Sequence, residues 1–477
     1  NKSIISSYTQ YRFLFYARKG SSLKIYGSEI HRCGYLPNYP GPMISTDHVI
    51  IKNSISSGNT HGVYLYHASD VLIENSDLSN NFRDGVEASY SSDITIINSN
   101  MSENGDVGIH LRTRNNNITI IHAITDGNRW DGIICWECSN ATIMNSVSSE
   151  NIDVGIFVYK SEDVRIFNYT ATKNLLYGML IHTSKNITVI DSVVKENGFR
   201  GKGGGIQNYY SSLTVDNSTI ISNIRGIIYY WSKEDRDYLK VFRSIISENK
   251  WYGIDIISSQ NLFITNSLIS YNRYGIHSDS SSNITVLNTT FYNNEYGIFS
   301  KDSDLTIHYS NIYSNRLHGI YNKGAYTVNA TYNWWGGANG PEYKERGDHY
   351  DPEEVYGSVL YTPWLNNSSA TISSNQTITE LSTISIYPSQ GPSGIWVIIS
   401  GNYFSNQTMV TIYFDKEVVD IVKTDSYGNF KTLIQIPKAY PGNHTINAID
   451  SYGISAVTTF TVTEPHIYLS LIHISEP

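Results

Sequence analysis

The sequence predicts an all-β protein: a right-handed parallel β-helix of 12 or more coils, followed by a small C-terminal β-sandwich. Three observations carry the first part. A glycine returns every 21 to 27 residues between Gly62 and Gly319, an aliphatic residue follows each one, and an asparagine closes nearly every period. A fixed period of this length marks a repeat architecture, in which each unit buries its apolar face only by stacking on its neighbours.

Each coil reads in the same order. The glycines, among them Gly85, Gly108, Gly132, Gly155 and Gly178, set a structural column; Val63, Val86, Ile109, Ile133 and Ile156 follow them as an inward column without polar intrusion. Asp70, Asp93, Asn117, Asn140 and Asp163 then introduce a second strand, because short Asx side chains suit tight corners. Period-two alternation behind them, as in 283–287, identifies strand rather than helix. A third apolar position is expected at Leu78, Met101, Ile124, Val194 and Ile220. The coil closes on Asn81, Asn104, Asn128 and their successors, which are expected to form ladders of hydrogen-bonded amides.

These repeats resemble the pectate-lyase-like parallel β-helix superfamily, in particular its NosD-type and CASH-type branch, over residues 11–365. The run 333–342, with Trp334 and Trp335, and the segment 361–365 resemble the closing segment of microbial surface β-helices. Bulky rings with Gly and Pro corners suit a rod end, where open strand edges invite aggregation. Residues 366–379 read as a Ser/Thr/Asn-rich linker. Within 380–465 six short strands alternate with turn signals, at 383–387, 394–400, 409–414, 431–436, 444–450 and 456–462; this resembles an immunoglobulin-like module. The tail 469–477 resembles an in-frame translation of a sequencing adapter and is set aside as non-biological, and both ends are read as cut.

Composition narrows the function classes. A formal charge of −9 with 16% charged residues gives no basic footprint for nucleic acid. No apolar run reaches the length of a membrane-spanning segment. Three cysteines exclude a disulfide framework; Cys135 and Cys138 have redox or metal spacing, but Cys135 falls on the inward column. Frequent Asn-x-Ser/Thr sequons, from Asn117 to Asn443, and 38 tyrosines resemble exported archaeal surface proteins, which implies an extracellular or cell-surface location and a glycoprotein.

Chemistry is expected on the residues that alternate outward beside the glycine column. The first outward column runs Tyr64, Glu87, His110, Ile134, Phe157, Leu180, Gln207, Ile228, Asp255, His277, and the next includes Arg112, Trp136, Tyr159, Tyr209 and Tyr230. Trp136, Phe157, Tyr159, Tyr209 and Tyr230 are candidates for stacking on sugar rings. Glu87, His110, Asp106 and Arg112 are the catalytic candidates, with Glu87 and His110 as an acid–base pair. Asp84, Asp106 and Asp131 are candidate Ca²⁺ ligands. No polygalacturonase or pectate-lyase signature occurs, and no Met, Cys or His cluster suits a soft metal. The leading expectation is therefore a non-enzymatic surface protein presenting this face to a glycan or to another surface protein. A polysaccharide lyase or glycoside hydrolase on the same face is the first alternative. A NosD-type periplasmic metal-delivery accessory is the second.

Overall fold

The computed structural model describes residues 3–6, 12–34, 40–199, 201–341, 355–368 and 383–463, except 403, 405–407, 416, 426–427 and 451–454. Residues 369–379 of the expected linker and the whole 469–477 tail lie outside the described residues. The chain divides into two compact units, Asn1–Thr371 and Ile372–Pro477.

The first unit is a right-handed parallel β-helix with three sheets running its length. Sheet 1 has fifteen strands, from Tyr16–Ala17 to Val355–Tyr356, and carries the glycine column. Sheet 2 also has fifteen, from Leu23–Tyr26 to Val359–Leu360. Sheet 3 comes in a three-stranded and an eight-stranded part, joined by single bridges through Asp77, Asn100 and Ile124. Register is kept coil by coil, so that Val63, Val86, Ile109, Ile133 and Ile156 stack in one buried column. Asp70, Asp93, Asn117 and Asn140 sit at φ of 50°, 53°, 57° and 50°, the left-handed corner conformation that Asx residues tolerate.

The asparagine column is a continuous ladder. The backbone N–H of Asn81 donates to Oδ1 of Asn104 at 2.9 Å, Asn104 to Asn128 at 2.9 Å, and Asn128 to Asn151 at 2.9 Å; the pattern runs from Asn59 to Asn315. These corner N–H groups have no strand partner, and the amides satisfy them inside the core. A second corner uses serine hydroxyls in the same way: Ser54 N–H donates to Ser76 Oγ and Ser76 N–H to Ser99 Oγ. At a third corner Cys138 stands in such a hydroxyl column, its N–H donating to Ser161 Oγ at 3.0 Å. The glycines are required by close approach between coils rather than by turn geometry. A Cβ on Gly85 would lie 2.7 Å from the Gly108 carbonyl oxygen and 2.9 Å from Met101 Cβ.

One expected core position is corrected. Ile124 is 45% exposed, while Thr125 is fully buried. The coil between Gly108 and Gly132 is one residue longer, and Ile124 pairs with Asn100 and Val147 on the outward side. Thr125 turns inward instead and forms a buried hydroxyl cluster with Ser148 and Tyr169. Near the end of the helix Trp335 is buried against Gly319, and Trp334 packs on Tyr313 with centroids 5.1 Å apart.

The second unit has an antiparallel three-stranded sheet, ordered Thr383–Tyr387, Trp396–Asn402, Phe430–Gln435. Its five-stranded sheet is ordered Gln390–Gly391, Ser455–Val462, Gly442–Asp450, Met409–Phe414, Glu417–Lys423. Val397 and Ile434 of the one share an apolar core with Ile412, Ile446 and Phe460 of the other. The strands at 390–391 and 417–423 were not expected from the sequence.

Candidate functional site

Because strands of sheet 1 pair in register, Tyr64, Glu87 and His110 lie side by side on three successive coils. The residue just before each glycine forms a neighbouring column, which puts His61 beside Asp84. These two columns converge. Nε2 of His61 lies 3.0 Å from Oε2 of Glu87 and 3.6 Å from Oδ2 of Asp84, and all three side chains are buried. Asp84 accepts the Val107 N–H through Oδ1 at 3.0 Å, and Glu87 meets Arg112 Nη1 through Oε1 at 3.3 Å. Burial alone would raise the Glu87 carboxyl, but the contact with His61 and the nearby His110 hold it down at about 2. Among the described residues this trio is the group of three or more His, Cys, Asp or Glu whose ligand atoms all lie within 4.8 Å of one another.

The expected site residues are distributed differently from their column order. His110 is not the imidazole on Glu87: it approaches Oδ2 of Asp84 at 3.6 Å, and His61 takes the place beside Glu87. Asp106 leaves the group, paired with Arg83 at 3.0 Å. Asp131 lies in the pre-glycine column two coils beyond Asp84, separated from it by Val107, and accepts the Val154 N–H at 2.8 Å. Asp84, Asp106 and Asp131 therefore do not converge as an oxygen cage. Burial and the Asp153 charge raise the Asp131 carboxyl to about 7. His61 escaped sequence reading because it precedes the first glycine of the period; following the pre-glycine column as its own row would have found it.

The aromatic candidates form one chain of contacts. Trp136 meets Tyr159 at 4.9 Å between centroids, and Phe157 meets Tyr159 at 5.9 Å. His182 bridges Tyr159 and Tyr209, at 5.3 and 5.6 Å. Tyr209 stacks on Trp231 at 5.4 Å and meets Tyr230 at 6.2 Å. The outer rings of Trp136 and Trp231 are 40% and 47% exposed, and Tyr210 and Lys233 line a cleft with Trp231. Beyond it the stacking candidate Tyr230 joins Asp255 and His277, two outward-column residues given no role from the sequence. The Tyr230 hydroxyl donates to Oδ2 of buried Asp255, whose Oδ1 is 2.7 Å from Nδ1 of His277. Further along, Tyr252, Tyr274 and Tyr296 stack at 5.3 and 5.0 Å. The face is drier than a solvated strand surface: Glu87, Gln207, Ile228 and Asp255 are all buried.

A regular coil with this buried core and sheet-1 face defines a right-handed β-helix, and residues 42–162 match the family described as right handed beta helix region. Residues 121–340 and 241–430, together more than half of the chain, match the periplasmic copper-binding protein (NosD) family, and the chain belongs to it. No curated protein matches the chain in sequence. Among solved structures it is similar to the Azotobacter vinelandii mannuronan C-5 epimerase AlgE6 A-module, at 12% identity and TM-score 0.30, covering 73% of this chain and 89% of that one. A mutant of the periplasmic alginate epimerase AlgG aligns at 12% identity and TM-score 0.34, over 71% and 74%. The active domain of bacteriophage CBA120 tailspike protein 2 aligns at 11% and 0.35, over 82% and 72%.

The donor set tests the fit of copper. Copper(I) favours thiolates and thioethers. Cys135 and Cys138 are buried thiols without a disulfide, Cys138 in a corner ladder and Cys135 in the core, while Met101, Met144 and Met179 are buried in separate coils. That arrangement does not fit a copper(I) centre. The His61, Asp84 and Glu87 set offers one nitrogen and two carboxylates, which suits a divalent ion instead.

Proposed function

We propose that the protein is an exported member of the NosD family that binds polysaccharide along sheet 1. The observation that supports this reading is the unbroken aromatic run from Trp136 through Tyr159, His182 and Tyr209 to Trp231, with both tryptophans exposed. Aromatic faces of this kind stack on the apolar faces of sugar rings, and a row repeated at strand spacing matches an extended chain better than a single small molecule. Lys160 and Lys233 beside the row favour an acidic sugar polymer. The family description places its members in the periplasm, in keeping with an exported protein. No helix among the described residues is long and apolar enough to cross a membrane. Calorimetric titration with acidic and neutral polysaccharides tests the reading: it expects binding of at least one acidic polymer, weakened in Trp136→Ala. Absence of binding across the panel contradicts it.

A second reading, an enzyme acting on the same polymer, is favoured by the Tyr230, Asp255 and His277 group. Asp255 holds His277 through Nδ1 and leaves Nε2 as the ring nitrogen placed for proton exchange with a substrate. Depolymerisation or a change in the sugar units, abolished in His277→Gln with binding intact, would establish this reading over the non-catalytic one.

A further inference from the structure

We infer that His61, Asp84 and Glu87 form a binding site for a divalent cation of the zinc type. The inference is independent of polysaccharide binding. It starts from an anomaly: His61 is 3% exposed, yet neither ring nitrogen makes a well-aligned hydrogen bond. A buried imidazole normally satisfies at least one of them. Nε2 instead stands close to two carboxylate oxygens, 3.0 Å from Glu87 Oε2 and 3.6 Å from Asp84 Oδ2, without the alignment that a hydrogen bond needs.

Those distances suit a shared cation. With metal–ligand bonds of 2.0 to 2.1 Å, ligand atoms on a tetrahedral ion lie about 3.3 Å apart. The two observed separations bracket that value. The remaining oxygens are already held: Oδ1 of Asp84 by the Val107 N–H and Oε1 of Glu87 by Arg112. Such outer contacts aim the free oxygens and fix the carboxylates in place. A nitrogen ligand and only two carboxylates disfavour Ca²⁺, which takes six to eight oxygens. Nδ1 of His110 meets the same Asp84 oxygen at 3.6 Å but is not one of the three groups whose ligand atoms converge.

The test uses the full chain stripped with chelator and titrated with Zn²⁺, Cu²⁺ or Ca²⁺. The expected result is one equivalent of Zn²⁺ retained after gel filtration and a melting point raised by several degrees. Cu²⁺ should show an electron paramagnetic resonance spectrum coupled to a single imidazole nitrogen, and millimolar Ca²⁺ should have no such effect. Retention should be lost in His61→Gln and Glu87→Gln and kept in Asp106→Asn. No stoichiometric uptake, or equal uptake in the first two variants, overturns the inference. Should His61→Gln fail to fold, the Cu²⁺ spectrum of the unaltered chain still decides, since a bound ion without nitrogen coupling excludes His61.

Discussion

Oδ1 of Asn174 accepts two hydrogen bonds from Asn151 one coil earlier, from its backbone N–H at 3.2 Å and from its side-chain Nδ2 at 2.9 Å. Asn174 in turn donates through Nδ2 to the Ser148 carbonyl and to Asn197 Oδ1. One amide thus ties three coils together at a buried corner. Asn174→Ala removes these bonds and strands the Asn151 N–H in the core. A loss of about 3 kcal/mol is expected in denaturant unfolding. Because coils stabilise one another as nearest neighbours, hydrogen exchange should rise first in coils flanking position 174.

Gly253 illustrates why the repeat tolerates so little. A Cβ there would lie 2.6 Å from the Gly275 carbonyl oxygen and 3.1 Å from Ile269. The backbone oxygen cannot move without breaking its own coil. Gly253→Ala is expected to cost about 3 kcal/mol. Gly337→Ala, where the added carbon meets nothing, should leave the unfolding midpoint unchanged.

Asp131 makes stability depend on pH in a direction unusual for a carboxylate. Its folded value is raised from 3.8 to about 7 by burial and by Asp153, so the fold favours the protonated form. That contribution is complete below the unfolded value of 3.8 and is lost as pH rises through about 7. Asp131→Asn keeps an acceptor for the Val154 N–H and cannot ionise. The variant should match the parent near pH 4 and exceed it at pH 8, by on the order of 4 kcal/mol at most. Thermal melts at the two pH values check this.

The Cys135 and Cys138 pair looks like chemistry in the sequence and like architecture in the fold. Cys138 Sγ lies 3.8 Å from the Leu111 carbonyl, the position from which Ser161 one coil later donates to the Cys135 carbonyl at 3.0 Å. Cys138→Ser should therefore be neutral to within about 1 kcal/mol, and reductant should not shift the melting point of the parent.

The glycine, aliphatic and asparagine columns were legible because each is one residue type repeated at one coil position. The serine ladders were not, since serine is common enough that its recurrence at two corners does not stand out. Ile124 misled because a single inserted residue slides the apolar pattern by one place, turning Thr125 inward. At the site, column order identified Glu87, Asp84 and Arg112 but paired Glu87 with His110. The contact with His61 depends on how far each side chain leans across columns, which spacing does not encode. The same holds for Asp255 and His277, adjacent in one column yet joined with Tyr230 only in the folded face.

Whether the aromatic row on sheet 1 holds a polysaccharide chain is decided most directly by one comparison of affinities. The unaltered protein and Trp136→Ala/Trp231→Ala are titrated with the best-binding acidic polymer, with circular dichroism confirming that both are folded. The two stacking faces together contribute on the order of 2 kcal/mol, so the affinity of the double variant is expected to fall by roughly tenfold or more. Unchanged affinity in a folded double variant would contradict the claim.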